Sequence, residues 1–453
     1  MTSIKKSRRS AGVVYFFGAL GALLWGYDNG VIAGAMLFIK KDFDLDPGLV
    51  GLVTASITLG AGAGSLLSGA LADKLGRKRL ILLAAVVFSL GIVAASLAPN
   101  PAILILARLV LGLGIGIVAV SIPIYLAELA PAAIRGRVGT LTQLMIASGI
   151  LLAYIVNYLF SPTGDWRWMI GVAIVPALAL LVGVVFLPES PRWLVKHGRE
   201  DEARTILAMR IPADSVDASV AEIHRTLAAS KGSWRDLIQP WVRPAVIVAV
   251  LLAIFAQLLG INTIVFYAPT ILSAIGFSDQ VALLNTIGFG VVSIIFTVIA
   301  FRIVDVVGRK KLLTRGSLVM GGSMLVMAII SITFGLTAGL TGYLAVLCLV
   351  VFKATYSLTW GTVTRVVQSE ILPLTVRGTA LGLAEVFNFA STFVLSAVFP
   401  MLLAGGTGLP FFVFAIIGIA AFIFVRFFVR ESKGLTLEQI EEDLRTRNRD
   451  SAR

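Results

Sequence analysis

Charged residues are scarce in this sequence: Asp, Glu, Lys and Arg make up 14% of its 453 residues, whereas hydrophobic residues make up 58%. An ordinary soluble domain carries about 25% charged residues, and the mean hydropathy of +0.94 is also far from that class. These figures exclude a soluble globular chain. They predict a membrane protein that crosses the bilayer several times.

Cysteine and histidine are almost absent. The single cysteine, Cys348, lies in an apolar segment, and the two histidines, His197 and His224, lie in a polar central stretch. A disulfide framework or a Cys/His metal site needs several such residues close together. We therefore expect no disulfide, no metal site and no cofactor. The sequence also contains no nucleophile with a matching base and no phosphate loop, so it does not predict an enzyme.

Long apolar segments dominate the chain instead. A helix needs about 20 apolar residues to cross a bilayer, and twelve segments are of suitable length: 11–39, 49–72, 80–98, 101–127, 138–160, 168–187, 243–272, 281–304, 312–334, 340–372, 378–402 and 410–429. The predicted fold is an all-α membrane protein with twelve transmembrane helices in two pseudo-symmetric six-helix halves. Its predicted parts are a first half (1–187), a cytoplasmic linker with short amphipathic helices (188–242), a second half (243–430) and a cytoplasmic tail (431–453).

The net charge of +13 could indicate a nucleic-acid partner, but the positions of the basic residues argue against one. If both termini are cytoplasmic, the outer connections carry only Lys40, Lys41 and Arg167 as basic residues, and the inner connections carry many more. This is the positive-inside distribution. It predicts a multi-pass protein of a cell (inner) membrane with both termini cytoplasmic, in contact with the lipid bilayer and with no nucleic acid. The oligomeric state stays open.

Short polar motifs recur in the same order in the two halves. Asp-x-x-Gly-Arg-Lys begins at Asp73 and again at Asp305, after spans 2 and 8. A glutamate and an arginine seven residues apart flank a proline at 128–135 and at 370–377. Glu-Ser follows span 6 at Glu189 and span 12 at Glu431. Three matched pairs in one order indicate an internal repeat.

These motifs as an ordered set resemble the sugar porters of the major facilitator superfamily, from Gly26-Tyr27-Asp28 to Glu431-Ser432-Lys433-Gly434. That family contains bacterial proton-coupled pentose and hexose symporters and animal glucose carriers. The resemblance implies symport of a monosaccharide (hexose or pentose) with protons by alternating access. It also implies a cytoplasmic gate in which ion pairs clamp the halves together while the pocket faces out and part when it faces in. The gate residues are Asp73, Arg77, Glu128, Arg135, Glu189, Arg192, Asp305, Arg309, Glu370, Arg377 and Glu431. For single basic residues, topological anchoring is the competing interpretation.

One carboxylate, Asp28, lies in the middle of the first span. A charge there costs at least about 2.5 kcal/mol, so it needs a partner, a proton or an aqueous cavity. We predict that Asp28 carries the proton of a transporter. In proton-coupled sugar porters the aspartate after Gly-Tyr is paired with the arginine at the position of Arg108, and glycines after Arg108 permit close approach of span 4. A static buried ion pair is the alternative.

A neutral polyol offers many donors and acceptors together with apolar faces, so its pocket should combine amides, hydroxyls and aromatic rings. The predicted substrate-binding residues are Gln143, Gln257, Asn262, Tyr267, Ser293, Trp360, Arg365 and Asn388. Gly260 and Pro269 make a straight span 7 improbable. Ala256 and Ser293 stand where the family carries amides, which leaves the exact sugar open. Hydrogen bonds between helices are the competing role for each amide.

Span 10 departs most from the family, because Arg365 stands where a tryptophan is usual. Arg365 and Glu385 each lie seven residues from the turn between spans 10 and 11, about 10 Å deep. This spacing predicts an intramembrane ion pair. The pair is either an inner gate, or Arg365 binds a carboxylate and the substrate is a sugar acid or small organic acid. Lys353, also in span 10, is expected to snorkel or to adjoin a polar group. A non-transporting sugar sensor is a further alternative.

Overall fold

A computed structural model describes residues 2–129, 135–209, 211–229, 234–373, 376–431, 433 and 439. Side chains are described for these residues except 2–15, 135–140, 213, 228–229, 234 and 305. Every regular element in the described residues is a helix.

The chain forms helices in the following order. The first half contains α1 (Thr2–Asp42), α2 (Pro47–Leu75), α3 (Arg77–Ser96), α4 (Pro101–Leu129), α5 (Arg135–Phe160), α6 (Trp166–Gly171) and α7 (Ile174–Val185). The linker helices are α8 (Pro191–Lys196), α9 (Glu200–Ala208) and α10 (Val216–Ala229), with 3₁₀ turns at Ala213–Ser215 and Trp234–Ile238. The second half contains α11 (Arg243–Leu258), α12 (Ile261–Ala274), α13 (Asp279–Val307), α14 (Arg309–Phe334), α15 (Leu340–Leu358), α16 (Trp360–Ile371), α17 (Arg377–Ala404) and α18 (Leu409–Phe428).

Within the described part of the chain, twelve segments are long and apolar enough to cross a membrane, in agreement with the predicted fold class. Spans 7 and 10 each consist of two helices in line. Span 7 breaks at Gly260, whose φ of 99° is a left-handed conformation that favours glycine. Pro269 lies inside α12 without ending it. The break of span 10 at Thr359 was not predicted, since Thr359 is neither glycine nor proline.

Spans 2 and 4 pack closely enough to bring Arg108 against the backbone of span 2. A side chain at Gly112 would collide with the carbonyl oxygen of Ile57, so only glycine permits this distance between the two helices. One turn earlier on α4, Arg108 Nε donates to the carbonyl oxygen of Val53 over 2.8 Å. The predicted close approach of span 4 is thus present.

The linker helices pack on one face of the bundle, which we call the linker face; the other we call the opposite face. Trp193 and Ala203 are buried together, with Ile223 of α10 against them. Trp193 Nε1 donates to the carbonyl oxygen of Asp73 over 3.0 Å, and Lys196 Nζ lies 2.9 Å from the Asp73 carboxylate. The linker helices are therefore attached to the first half.

The repeated motif forms the same structure in each half. In the first half, Glu189 Oε1 accepts from the backbone N–H groups of Arg77 (2.9 Å) and Lys78 (3.2 Å), at the start of α3. Arg77 in turn donates to Glu128 over 3.2 Å. The carboxylate thus stabilises a helix N-terminus, where exposed N–H groups and the helix dipole favour negative charge.

The second half repeats this cluster at the start of α14. Glu431 accepts from the backbone N–H groups of Arg309 (2.9 Å) and Lys310 (3.2 Å), and Arg309 donates to Glu370 over 3.1 Å. Gly76 and Gly308 precede these helix starts with φ of 88° and 96°. A side chain at either glycine would collide with the capping carboxylate.

The gate implied by the resemblance clamps the two halves while the pocket faces outward and parts when it faces inward, and the positions of these clusters do not contradict it. Each described ion pair at the linker face connects residues of one half or attaches the linker to it. Arg377 donates to the carbonyl oxygen of Leu372, and Arg192 is partly buried in α8. The side chains of Arg135 and Asp305 lie outside the described residues. The contacts described for the motif residues therefore hold each half together in this conformation, and their gating role stays a prediction.

Removing one capping carboxylate should destabilise its half. Glu189→Ala leaves two backbone N–H groups without their acceptor, at a cost of about 1–3 kcal/mol, and Glu431→Ala should cost a similar amount. Thermal unfolding of the purified protein in detergent measures the loss. The control is Glu222→Ala, whose side chain is 59% exposed in its pair with Arg225. Equal shifts for Glu189→Ala and the control would contradict the capping role.

Candidate functional site

A pocket lies between the two halves at the middle of the bundle. The first half contributes side chains that include Trp25, Asn29, Thr58 and Gln143. The second half contributes residues of spans 7, 8, 10 and 11. The void measures about 1260 Å³ including its solvent-open part. Both broken spans contribute residues to the pocket. This position suits the two breaks, because unwound backbone at membrane depth is tolerated where it lines a cavity.

Most of the predicted binding residues line this pocket. They are Gln143, Gln257, Asn262, Ser293, Trp360, Arg365 and Asn388. Tyr267 does not, and its prediction as a pocket residue is wrong for this conformation. Its hydroxyl donates to the carbonyl oxygen of Ser396 over 2.8 Å, and its ring stacks on Phe399 at 5.1 Å between centroids. Tyr267 therefore connects spans 7 and 11 within the second half.

Three amides form a hydrogen-bonded chain along the second half of the pocket. Asn262 Nδ2 donates to Gln257 Oε1 over 2.7 Å. Gln257 Nε2 donates to Asn388 Oδ1 over 2.5 Å. Asn388 Nδ2 donates to Glu385 Oε1 over 3.3 Å. A carboxylate can only accept, so Glu385 orients Asn388 and, through it, Gln257.

The other partner of Glu385 is Arg365. Arg365 Nη2 lies 3.0 Å from Glu385 Oε1 and 3.1 Å from Oε2. The Glu385 side chain is 14% exposed, whereas the Arg365 side chain is 58% exposed. The ion pair thus anchors one end of the amide chain and leaves part of the guanidinium available in the pocket.

Two other pocket residues make contacts within the second half. Trp360 Nε1 donates to Ser317 Oγ over 3.0 Å, so the polar edge of this ring faces away from a ligand. Ser293 Oγ lies 3.1 Å from Ser357 Oγ, which joins spans 8 and 10. The polar groups of Trp360 and Ser293 are thus already hydrogen-bonded to the protein, and the two side chains contribute mainly to the shape of the pocket wall.

Asp28 and Arg108 are close together and buried beside the pocket. Arg108 Nη2 lies 3.8 Å from Asp28 Oδ2, and the side chains are 1% and 6% exposed for Arg108 and Asp28 respectively. Arg108 makes its hydrogen bonds to Val53 and Thr54 carbonyl oxygens on span 2. Asp28 Oδ2 has no hydrogen-bond partner among the described residues. Asp28 and Arg108 therefore attract each other by charge without a hydrogen bond between them. Asp28 Oδ2 is free to take up a proton.

Several pocket residues were not identified from the sequence. Trp25 and Phe389 face each other across the halves, with centroids 6.4 Å apart. Asn29 lines the pocket next to Asp28, and its position beside the intramembrane carboxylate was the available signal. Gln368 lines the wall and donates to the carbonyl oxygen of Ala249. Lys353 does not snorkel: it is 4% exposed and lines the pocket.

Contacts between the two halves lie between the pocket and the opposite face. Lys41 Nζ of span 1 lies 2.8 Å from the Asp279 carboxylate at the start of span 8. Nearer the pocket, the Tyr154 hydroxyl donates to the carbonyl oxygen of Val265 over 3.2 Å. Gly51 packs directly on the backbone of span 11. The described ion pairs at the linker face lie within one half or attach the linker to it. The described contacts between the halves therefore place the closed side of the pocket at the opposite face.

Comparison with known proteins gives consistent matches along almost the whole chain. The family model described as "Sugar (and other) transporter" matches residues 14–444. A glucose transporter of Staphylococcus epidermidis is 41% identical, over 96% of this chain and 97% of its own length. A D-xylose transporter of Levilactobacillus brevis is 42% identical, over 98% of both. The proton:xylose symporter XylE of E. coli, solved with a bromodeoxyglucose, has a TM-score of 0.80 at 31% identity, over 96% of this chain and 99% of XylE.

Arg365 and Glu385 should be energetically coupled. Arg365→Met and Glu385→Gln each remove the ion pair, so the double variant should lose less stability than the sum of the singles, by roughly 0.5–3 kcal/mol. Unfolding of the purified variants in detergent measures this difference. Arg365→Met combined with Glu222→Gln in the linker is the control, for which additive effects are expected. Additivity in the Arg365–Glu385 cycle would show that the contact carries no coupling.

Proposed function

Since the chain belongs to the sugar transporter family, we propose that it is a secondary active transporter that carries a monosaccharide, a hexose or pentose, together with protons by alternating access. It is a multi-pass membrane transporter and not an enzyme. The observation that carries the proton coupling is Asp28, a buried carboxylate with an unbonded oxygen 3.8 Å from Arg108 and next to a pocket residue. The named relatives, which transport glucose and D-xylose, support the substrate class.

The proton step follows from the environment of Asp28. Desolvation favours the neutral carboxyl, and the guanidinium of Arg108 favours the carboxylate. Arg108 is bound to the backbone of span 2, whereas Asp28 lies on span 1, so relative movement of these spans changes their separation. A longer separation loads the proton and a shorter one releases it. Asn29 connects this change with the pocket, because it follows Asp28 directly and touches the ligand space.

Sugar binding uses the amide chain of the second half. Gln257, Asn262 and Asn388 are already oriented by their bonds to one another and to Glu385. Preorganised groups lose less entropy when a ligand binds. Gln143 offers an amide from the first half, and Trp25 and Phe389 offer apolar ring faces to the sugar. Binding between the two halves makes their relative movement sensitive to the ligand.

The direction of access follows from the closed opposite face. We assign the linker face, with both termini, to the cytoplasm of a cell (inner) membrane, in agreement with the positive-inside distribution. In this conformation the pocket then faces inward. The clusters of Glu189 and Glu431 hold together the linker-face helix ends of each half, so that the gate opens between the halves while span 1 makes smaller movements against span 2.

Two alternatives concern the same pocket. Arg365 could bind an acidic substrate, but Glu385 already balances its charge. A sugar sensor would bind the ligand without moving it across the membrane. Uptake into proteoliposomes separates a transporter from a sensor directly.

Replacing the proton carrier should abolish uphill transport. Asp28→Asn cannot exchange a proton, so proteoliposomes with this variant should not accumulate D-glucose or D-xylose under an imposed proton gradient. Exchange of labelled sugar at equal concentrations should persist, because it needs no net proton movement. Asp214→Asn in the exposed linker is the control. Accumulation by Asp28→Asn with the wild-type response to external acidity would falsify the proposed coupling.

The Lys41–Asp279 ion pair should favour the inward-facing state. Both side chains are partly exposed, at 68% and 31%, so Lys41→Gln should raise the outward-facing population only about 1.5- to 5-fold. An impermeant thiol reagent applied at the opposite face to Ile150→Cys in a Cys348→Ser background reports this population. The matched control is Lys40→Gln, at the neighbouring exposed lysine. Equal labelling of the two glutamine variants would contradict the gating role.

A further inference from the structure

Lys353 places an ammonium group deep in the membrane. It lies thirteen residues after the start of α15 and eighteen before the end of α16, about 20 Å and 27 Å along the helix axis. A lysine side chain cannot reach either interface over such distances. Lys353 is 4% exposed, and it lines the pocket. Its charge therefore needs a protein partner, a ligand or the water of the pocket.

The charges inside the bundle do not balance without a ligand. Arg108 is paired with Asp28, and Arg365 is paired with Glu385. Lys353 makes no ion pair and no hydrogen bond with any described residue. Lys353 lines the pocket, and intramembrane cations of this kind mark substrate or ion pathways by default. With Asp28 ionised, the pocket therefore contains one cation that has no counter-charge among the described residues.

Neutral polar groups surround this charge. Tyr356 and Ser357 follow Lys353 at spacings of three and four residues, on the same side of α15. Ser293 and Thr297 of span 8 line the same wall. These groups can solvate an ammonium and a bound anion together, but none supplies a negative charge. The amides of Gln257 and Asn262 open onto the same pocket.

We propose that Lys353 binds the carboxylate of an acidic monosaccharide, so that the substrates of this transporter include hexuronates and related sugar acids. The inference rests on the proposed function and specifies its substrate class. A monocarboxylate matches the single free charge. A phosphate monoester, with a charge of about −1.5 to −2 at pH 7, exceeds it. Hydroxyl groups of the sugar ring bind the oriented amides, as proposed for a neutral sugar.

Charge movement follows from this assignment. One proton carried with a neutral sugar moves one positive charge per cycle. One proton carried with a uronate moves no net charge, because the carboxylate cancels the proton. An inside-negative potential, set with potassium and valinomycin, should therefore accelerate D-glucose uptake and leave D-glucuronate uptake unchanged. A pH gradient should drive both.

Binding to the full-length protein in nanodiscs tests the role of Lys353. D-glucose, D-glucuronate and the methyl ester of D-glucuronate are the probes. The wild type should bind the acid roughly 10-fold or more tightly than its uncharged ester. Lys353→Met should lower the affinity ratio of acid to glucose by a similar factor, and Lys353→Arg should retain most of the ratio. The comparison of acid and ester needs no variant, so it remains decisive if Lys353→Met does not fold.

The outcomes separate this inference from the proposed function. Proton-driven uptake of D-glucose or D-xylose without preference for acid over ester overturns the role of Lys353 and leaves neutral-sugar symport intact. An unchanged acid-to-glucose ratio in Lys353→Met overturns it as well. Preferential, Lys353-dependent binding of the acid without any proton coupling supports the substrate class and contradicts the proton mechanism. Failure to bind any of the three probes, or D-galacturonate and D-gluconate, contradicts the inference.

Discussion

The cost of an uncompensated charge in a low-dielectric membrane protein governs the arrangement of this molecule. Asp28 is close to Arg108, and Glu385 contacts Arg365. Each pair lies at or beside the pocket between the halves. Because both charges of a pair lie in the same half, relative movement of the halves does not by itself break either pair. Asp28 can still gain or lose a proton through smaller movements of spans 1 and 2.

The internal repeat produces two similar rigid units. Glu189 and Glu431 occupy equivalent positions at the starts of α3 and α14, where each accepts from two backbone N–H groups. In this conformation each motif caps a helix of its own half. Described contacts between the halves include residues outside the motif, such as Lys41 and Asp279. Similar rigid units joined by exchangeable contacts suit an alternating-access cycle.

The pocket combines fixed and adjustable elements. Broken spans 7 and 10 interrupt regular helices at the pocket and bring amides, hydroxyls and cations together there. Glu385 orients Asn388 and Gln257, so the amide chain on one wall is largely preformed. Trp25 and Phe389 belong to different halves, so their contact must change when the halves move. A ligand therefore meets a prepared polar wall and an aromatic contact that depends on conformation.

The sequence by itself determined the class, the twelve spans, the repeat and most of the polar residues around the pocket, because hydropathy and intramembrane charge are local properties. It also indicated Arg365 beside Glu385, since both are counted from one short turn. Only the tertiary structure decided that Tyr267 packs on Phe399, that Glu128 pairs with Arg77, and that Lys353 faces the pocket without a partner. Those facts depend on the rotation of each helix about its axis and on which helix lies next to it. Packing between distant segments sets both.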